Sequence, residues 1–573
     1  MKSRTSFFNG TVLRKDITRY APVWALYTIA LFLFMVVTNL GDEAYNVADV
    51  LASTSSSLSV INLILAGIVA LLVFGDLFKT RLCYATHALP LRREGWFLTH
   101  FTAGLLFSLV PNLLLCLCML PMVMPYWYMP LVWLASNTLQ YLFFFGVGAF
   151  CAACAGNRLG MAAAYAIMNF GVTLISWYAE DIYTPLLYGM EFQWGALEWF
   201  MPVSRITSLD VVEYTRRPFT FGGCIPGDWL YLGIIAGVGI VLAVLAVLIY
   251  RKRHMETAGD FLSLKAAKPV FLLIYTLAVA YIFHLVIDFW GLFAGLIVGF
   301  FTGKMLLNRT VRVFKGWNFL QLGILITAML LSMFVTLMDP AGLTRYVPDT
   351  KNVEAMYFCS SGDSHIYLQD EDQVDRREIR DPAEIDRFRQ FHEEVCDGRY
   401  EYTTEETTIV YLRYELKSGM SVRRRYEIPV ASSHSDFVQA ELSDWKSVFH
   451  INDWESFASG VEQLELEIEL SEQIGHFTLT DPVQIRGLLD AVKADCDAGN
   501  MAQNWSLHQD DETAAWLYIY DGDFYTYNES VYGESVEYVN VPVYAISLNI
   551  YDSCTNTLAY IDSLDLDYTP YEK

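Results

Sequence analysis

No segment of the 573-residue sequence reads GxxxxGK[ST], the loop whose backbone amides cradle nucleotide phosphates. The nearest approach, GFFTGK at 299–304, has three residues between its glycines, is followed by Met305 where a Ser or Thr is needed, and sits in an apolar run. Metal-ligand spacing is missing as well. Of ten cysteines, Cys116, Cys118, Cys151 and Cys154 lie in apolar runs as small fillers, and Cys359, Cys396, Cys496 and Cys554 are scattered over the last 235 residues. The acidic clusters QDEDQVD and YDGDF match no calcium loop, and the 10 histidines form no Ser–His–Asp arrangement that sequence alone singles out. Nothing recommends an enzyme or a cofactor in this chain. Mid-span carboxylates are absent too: Asp76, Asp288 and Lys304 fall near the ends of apolar runs, and His284 lies one turn from an end. An ion-coupled carrier needs such a group at mid-membrane, which argues against secondary transport. The opening MKSRTSFFNGTVLRKDITR lacks an apolar core with a cleavage site, so no cleaved signal peptide is expected.

What is present is apolar length. Hydrophobic residues make up 54% of the chain and aromatic ones 15%. The net charge of −24 divides sharply: residues 1–338 hold 22 Lys and Arg against 16 Asp and Glu, and residues 339–573 hold 17 against 47. The first part is therefore at +6 and the second at −30. Runs near 20 residues, enough for a helix to cross about 30 Å of hydrocarbon, recur in the first part and are missing from the second. Nine spans are expected, at about 20–40, 57–77, 100–123, 130–155, 158–179, 229–250, 269–287, 289–307 and 317–338. With a cytoplasmic N-terminus the inner segments collect 19 Lys and Arg, against three outside, Arg205, Arg216 and Arg217. Nine spans then place the acidic tail outside, where 235 residues suffice for a core of its own. An even cysteine count there permits disulfides without selecting a pair. Only Asp288 separates the seventh and eighth spans; taken as one re-entrant unit, they are expected to flip the tail inside.

Between the fifth and sixth spans, residues 180–228 include EDIYTPLLYGMEFQWGALEWFMPVSRI, too aromatic for an ordinary loop. Phe192, Trp194, Trp199 and Phe200 suit the membrane boundary, on short interfacial or re-entrant helices or in a folded loop packed on the bundle. In the eighth span Gly291, Gly295, Gly299 and Gly303 recur every fourth residue, leaving a bare groove along one helix face for close helix–helix approach. Asn112 after Pro111, and Asn137 with Gln140, are expected to bond across helices more than to contact substrate.

The second and third spans are joined by KTRLCYATHALPLRREGWFLTHF, with four cations on the cytoplasmic side. Anionic lipid would account for the charges alone, but not for the apolar residues among them. HALPLRREGWFLTHFTAGLLFSLVPN resembles the loop between the second and third spans of ABC-2-type permeases, the membrane subunits of ATP-driven exporters. SRTSFFNGTVLRKDITRYAPVW is similar to the start of such permeases in Gram-positive bacteria. NRTVRVFKGW and DPAGLTRYVPDTKNVEAMYF resemble the extra spans and uncharacterised C-terminal domain of one branch. The resemblance implies that residues 1–19 form a cytoplasmic interfacial helix. It also implies that the loop docks on a separately encoded ATPase, which holds ATP and Mg. The contact residues would be His87, Leu89, Pro90, Leu91, Arg92, Arg93 and Glu94, with the Leu-Pro-Leu wedge apolar and the charges setting register.

In the tail, DPAEIDRFRQFHEEVCDG at 381–398 and DPVQIRGLLDAVKADCDA at 481–498 align without gaps, each with an Asp N-cap and a Pro in the first turn. Ile385, Phe388 and Val395 form one apolar face, and Ile485, Leu488, Leu489 and Val492 the other. Strand-like sequence precedes each, and TTIVYLRYELKSGMSVRRRYEIPV reads as a hairpin turning at Lys417–Gly419.

The sequence thus reads as a polytopic α-helical membrane protein with an extracellular α+β domain of two tandem repeats. Its parts are a six-span ABC-2 core at 20–250, three additional spans at 251–338, and modules at 339–460 and 461–573. It is expected to work in the plasma membrane as the permease of an ATP-driven exporter. Its partners would be a separate ATP-binding subunit, a second permease (the same chain or a paralogue) and membrane lipid, with no nucleic acid. The alternative is an envelope-stress sensing or antimicrobial-peptide resistance complex acting through the tail without net transport, since a domain at −30 attracts cationic partners.

Overall fold

The computed structural model describes residues 8–41, 44–87, 92–124, 126–190, 195–216, 219–253, 257–264, 266–360, 378–398, 407–449, 451, 453–461, 463–470, 473–502, 513–528 and 538–564. Two units separate: a helical one within the first 332 residues, and one holding Met333–Lys573 together with Ile182–Gln193 and Thr215–Thr220.

In the helical unit, Asn9 caps helix α1 (Gly10–Arg19) by accepting the Thr11 and Val12 amides at 3.0 and 3.2 Å. The chain then bends by 60° into α2 (Ala21–Phe32), which runs on into a π-helical turn, Leu33–Val37. Next come α3 (Ala44–Ser57) and α4 (Ser59–Val73), set at 53° to one another. The hydroxyl run before Leu58 explains that break. Ser53, Thr54, Ser55 and Ser57 each bond back to a carbonyl three or four residues upstream, competing with the helix's own ladder. The carbonyl of Ser55 is taken instead by Gln140 Nε2 at 2.7 Å and Ser136 Oγ at 3.2 Å.

The remaining helices are α5 (Thr80–His87), α6 (Arg93–Met119), α7 (Met129–Cys154), α8 (Arg158–Tyr183), the short α9 (Pro202–Thr207), α10 (Pro226–Lys252), α11 (Ala267–Asn308) and α12 (Gly316–Met338). Among the described residues six helices are long and apolar enough to cross a membrane, and up to eight segments qualify when each bent pair counts as one. The chain is a multi-pass membrane protein. Its outward faces carry residues such as Leu117, Val241 and Leu331, more than half exposed, as a lipid-facing surface requires.

α7 runs through the middle and sets the packing. Gly146 and Gly239 let α7 and α10 touch backbone to backbone: a Cβ on Gly146 would stand 2.3 Å from the Gly239 carbonyl. Asn62 of α4 donates to Asn137 Oδ1 at 2.9 Å and Gln140 Oε1 at 3.1 Å of α7. Asn112 accepts from the Tyr27 hydroxyl at 2.9 Å, tying α6 to α2 beside Pro111. These amides act between helices.

The structure departs from the sequence expectation in two places. The third span starts early, since α6 begins at Arg93 and not near residue 100, which shortens the loop after α5 (Thr80–His87). The outer segment does contain short helices, α9 and the 3₁₀ turns Thr184–Leu186 and Gly195–Phe200, but also a strand pair, β1 (Val212–Arg216) with β2 (Phe219–Cys224). Phe192 and Trp194 lie outside the described residues, and Trp199 packs edge-on against Tyr231 at 5.3 Å. The expected boundary at Asp288 is present: α11 is two helical arms broken at Ile287 and at Asp288, whose φ of 51° is left-handed. Its two arms fold back on each other.

The second unit is built on two antiparallel sheets. One is ordered β3 (Val353–Ser360), β4 (Thr407–Leu416), β5 (Ser421–Pro429). Along β4, buried and half-buried residues alternate, as a strand with one covered face requires. Gly419, at φ 80°, closes the β4–β5 hairpin where Lys417–Gly419 was expected to turn. Helix α13 (Pro382–Gly398) leads into β4, and α14 (Ser433–Ser443) and α15 (Trp445–Val448) follow β5. After α16 (Trp454–Gly460) come β6 (Leu464–Leu470), β7 (Gln473–Leu479), α17 (Pro482–Asp497), β8 (Thr513–Asn528), β9 (Tyr538–Tyr551) and α18 (Thr555–Ser563), with strand order β7-β6-β8-β9. Ile379, just ahead of α13, bridges to Met356 on the free edge of β3, as β7 ahead of α17 pairs with β6. Asp381 and Asp481 accept the amides of Ala383 and Val483 at 3.3 and 3.0 Å, and both apolar faces read from the sequence are buried.

Candidate functional site

The ends of α4, α6, α7 and α10 meet α1 and α5 at one end of the helical unit, around the segment singled out between the second and third spans. Of its residues, Leu89, Pro90 and Leu91 lie outside the described residues, as does the side chain of His87. Arg92 is extended and exposed and starts α6, its carbonyl accepting the Trp96 amide at 2.9 Å. Arg93 and Glu94 form the first turn of α6 and are engaged within the chain. Arg93 Nη1 donates to the carbonyls of Arg251 and Arg253 at 3.1 Å each, while Glu94 Oε1 lies 3.0 Å from Arg251 Nε. Arg93 thus satisfies carbonyls that α10, like any helix, leaves without partners at its C-terminus. A carboxylate in the first turn of α6 suits that helix's positive end.

Arg253 does the same for α7. Its Nη1 reaches the carbonyls of Ala152 and Ala153 at 3.1 and 3.3 Å, its Nη2 the carbonyl of Leu77 at 3.4 Å, and its Nε the hydroxyl of Thr257 at 3.4 Å. One planar guanidinium therefore joins the region beyond α4, the end of α7 and the segment after α10, a geometry a lysine's point charge does not reproduce. The adjoining segment closes on α7 through Ser263 N to Cys154 O at 2.8 Å and Gly259 N to Gly156 O at 2.7 Å.

Around these polar clasps lies an aromatic layer. Phe74 stacks on Phe97 at 4.7 Å, Trp96 lies 5.5 Å from Tyr250, and His100 sits 4.1 Å from Trp96. His100 Nδ1 is 2.5 Å from Asp16 Oδ2, both residues buried, so α1 is pinned to α6 by a desolvated carboxylate–imidazole pair. Asn9 N to Thr99 Oγ1 at 3.2 Å and Tyr20 Oη to Leu72 O at 2.7 Å add two further ties. No group of side chains that could hold a metal ion occurs among the described residues. Chemically the assembly is a joint: a displacement of the start of α6 is shared with α1, α7 and α10.

The four glycines of the eighth expected span line the fold-back of α11. Added Cβ atoms would meet the Phe283 carbonyl at 2.1 Å from Gly291, Ala280 Cα at 2.6 Å from Gly295, the Thr276 carbonyl at 3.0 Å from Gly299 and Leu272 Cδ1 at 2.8 Å from Gly303. The partners step backward along the first arm as the glycines step forward, an antiparallel helical hairpin with almost no loop.

The tail buries its own polar network. His392 Nδ1 and Nε2 are 3.1 Å and 2.8 Å from the hydroxyls of Tyr414 and Tyr426, and the latter hydroxyl is 3.2 Å from Cys396 Sγ. Burial, reinforced by the nearby Arg424 cation, pushes the imidazole down to about 3, so it is neutral at ordinary pH. Burial raises the Cys396 thiol.

Sequence reasoning missed Asp16, His100, Arg251 and Arg253 as parts of the joint. For Arg251 and Arg253 the signal was a basic cluster straight after an apolar run, which orientation alone already explained. No family model, no curated protein and no solved structure matches the chain.

Proposed function

We propose that this chain is the permease subunit of an ATP-driven exporter of the ABC-2 type, energised by a separate ATP-binding subunit and paired with a second permease, the same chain or a paralogue. The observation that carries the reading is that α6, which follows the short helix α5 and the Leu-Pro-Leu sequence, starts clasped to the end of α10, whose following Arg253 caps α7. A chain without a phosphate loop has to take work mechanically, and this junction is where a push would be shared by several helices. Leu89, Pro90 and Leu91 are the wedge in the partner's groove, and ATP and Mg stay on that partner. Arg93 and Glu94 hold the wedge's base to its own bundle, with Arg92 beside it.

The same reading takes α1, bent by 60° from α2, as the interfacial helix, and counts the arms of α11 separately to reach nine spans with an inner N-terminus and an outer tail. The tail modules are read as duplicates, supported by the shared placement of Ile379 and β7 ahead of α13 and α17. The tail's charge of −30 favours a second reading, a sensing or resistance complex that engages cationic molecules without moving them. Flux into inverted vesicles separates the two.

The test of the motor interface is co-purification with a co-expressed ATP-binding subunit that carries GxxxxGK[ST]. Leu89→Asp/Leu91→Asp is expected to abolish the complex while the permease remains inserted and folded. An undiminished complex would sink the reading and leave the linker as a lipid anchor.

A further inference from the structure

Along α8 the polar residues Asn169, Thr173, Ser176 and Glu180 follow one another at intervals of four, three and four, which places them on one helix face. Thr173, Ser176 and Glu180 line a cavity of about 210 Å³ closed on its other side by residues 198–208. The face changes character along its length. Glu180 is exposed at the mouth, Ser176 is buried and bonded to the Thr173 carbonyl at 2.7 Å, and Thr173 and Asn169 are 4% and 1% exposed. Over the roughly 16 Å from Glu180 to Asn169, the polar stripe thus passes from water into the apolar bundle.

Two atoms on this stripe have no partner: Thr173 Oγ1 and Asn169 Oδ1. The Asn169 amide nitrogen is already committed to the Tyr165 carbonyl at 2.8 Å, so an acceptor oxygen is what remains. A buried polar group without a hydrogen bond is strongly disfavoured, and two on consecutive turns of one face call for a donor from outside the chain. At the mouth the lining carries the carboxylates of Glu180 and Glu198 and the half-exposed ring of Trp177. Among the described residues that line it, the one cation, Arg205, is turned to Asp228 at 3.5 Å. Carboxylates at the mouth, the Thr173 side chain in the lining with Asn169 one turn beyond it, and an aromatic face alongside form a set complementary to a positively charged donor.

We propose that this cavity binds an alkylammonium group, with Glu180 and Glu198 as counter-charges, Trp177 as the face over which the cation passes, and Thr173 as the first inner acceptor. An ammonium brings three donors and a charge, whereas a neutral hydroxyl brings one donor and none. The volume corresponds to about seven waters at about 30 Å³ each, the size of the end of a lysine side chain or a short primary amine. The proposal rests on α8 and residues 198–208 alone and is independent of any ATPase.

The full chain, purified in detergent, is titrated calorimetrically with n-butylammonium chloride and, in parallel, with n-butanol of the same shape. Saturable binding of the cation near millimolar is expected for a ligand of five heavy atoms, with no saturation by the alcohol. Glu180→Gln/Glu198→Gln should weaken the cation at least tenfold, and Thr173→Val about threefold. The tail's carboxylates adsorb cations too, but they are identical in wild type and variants. Both glutamates are exposed, so their amides leave the fold intact. Equal binding of butanol, no saturation in the wild type, or unchanged affinity in the double variant would each overturn the proposal.

Discussion

Glu94 and Arg251 face one another at 3.0 Å across the start of α6 and the end of α10, with Arg93 capping the same helix end from the next position. The ion pair is partly exposed and contributes only about 0.2–1 kcal/mol. The capping is the larger effect, because its loss leaves helix-terminal carbonyls unsatisfied.

Arg93→Ala is therefore expected to destabilise the full chain by about 1 kcal/mol, read as a lower thermal midpoint in detergent, whereas Glu94→Gln should shift it by less than half as much. If Arg93→Ala left stability unchanged but removed the ATPase, Arg93 would belong to the partner interface and not to the joint.

The hairpin of α11 makes a sharper demand. Gly291→Ala and Gly295→Ala drive a methyl into backbone atoms of the opposite arm and should each cost about 1–3 kcal/mol. Gly323→Ala on α12, where an added Cβ meets nothing within 4 Å, should be neutral or slightly stabilising. Thermal unfolding of the three variants side by side checks this, and equal behaviour of all three would remove the hairpin contact.

The neutral His392 gives the tail a pH dependence of definite sign. In the unfolded chain the imidazole binds a proton near 6.5, in the folded tail only near 3. Between those values the unfolded state holds more protons, so stability is complete above about 6.5 and is lost as pH falls. At pH 5 the loss from this group is about 2 kcal/mol. Hydrogen exchange of α13 in the full chain should accelerate accordingly between pH 7 and pH 5, beyond the intrinsic chemistry, and His392→Phe should flatten the trend.

Asp495 is buried on α17 and accepts four hydrogen bonds from the start of α18: Asn556 N and Nδ2 at 3.2 and 2.8 Å, Thr557 N and Oγ1 at 2.7 and 2.6 Å. Asp495→Ala should cost about 1–3 kcal/mol and release α18 to limited proteolysis in the full chain, while Asp495→Asn keeps part of the effect.

The sequence was most legible where one physical pattern decides. Apolar length located α6, α7, α8, α10 and α12 to within a few residues except at the start of α6. Asp-Pro pairs located the starts of α13 and α17. It was least legible where side chains override length. Hydropathy placed a span at about 57–77 but gave no sign of the helix Ala44–Ser57 ahead of it, and β1 with β2 form in a segment whose aromatic content suggested the boundary. The joint was half legible. Arg92, Arg93 and Glu94 stood out by charge, but what Arg93 and Glu94 bind depends on where α10 ends, 158 residues after Arg93 in the chain.

The two-residue turn at Ile287–Asp288 settles a question of parity. A chain that doubles back leaves on the face by which it came, whether its arms traverse the bilayer twice or dip in and return. The hairpin therefore adds an even number of crossings, zero or two, and the expectation that a re-entrant reading would invert the tail does not hold. The side on which residues after Met338 emerge is set by the other segments alone, so deleting the whole hairpin, both arms together, leaves the tail's compartment as it was.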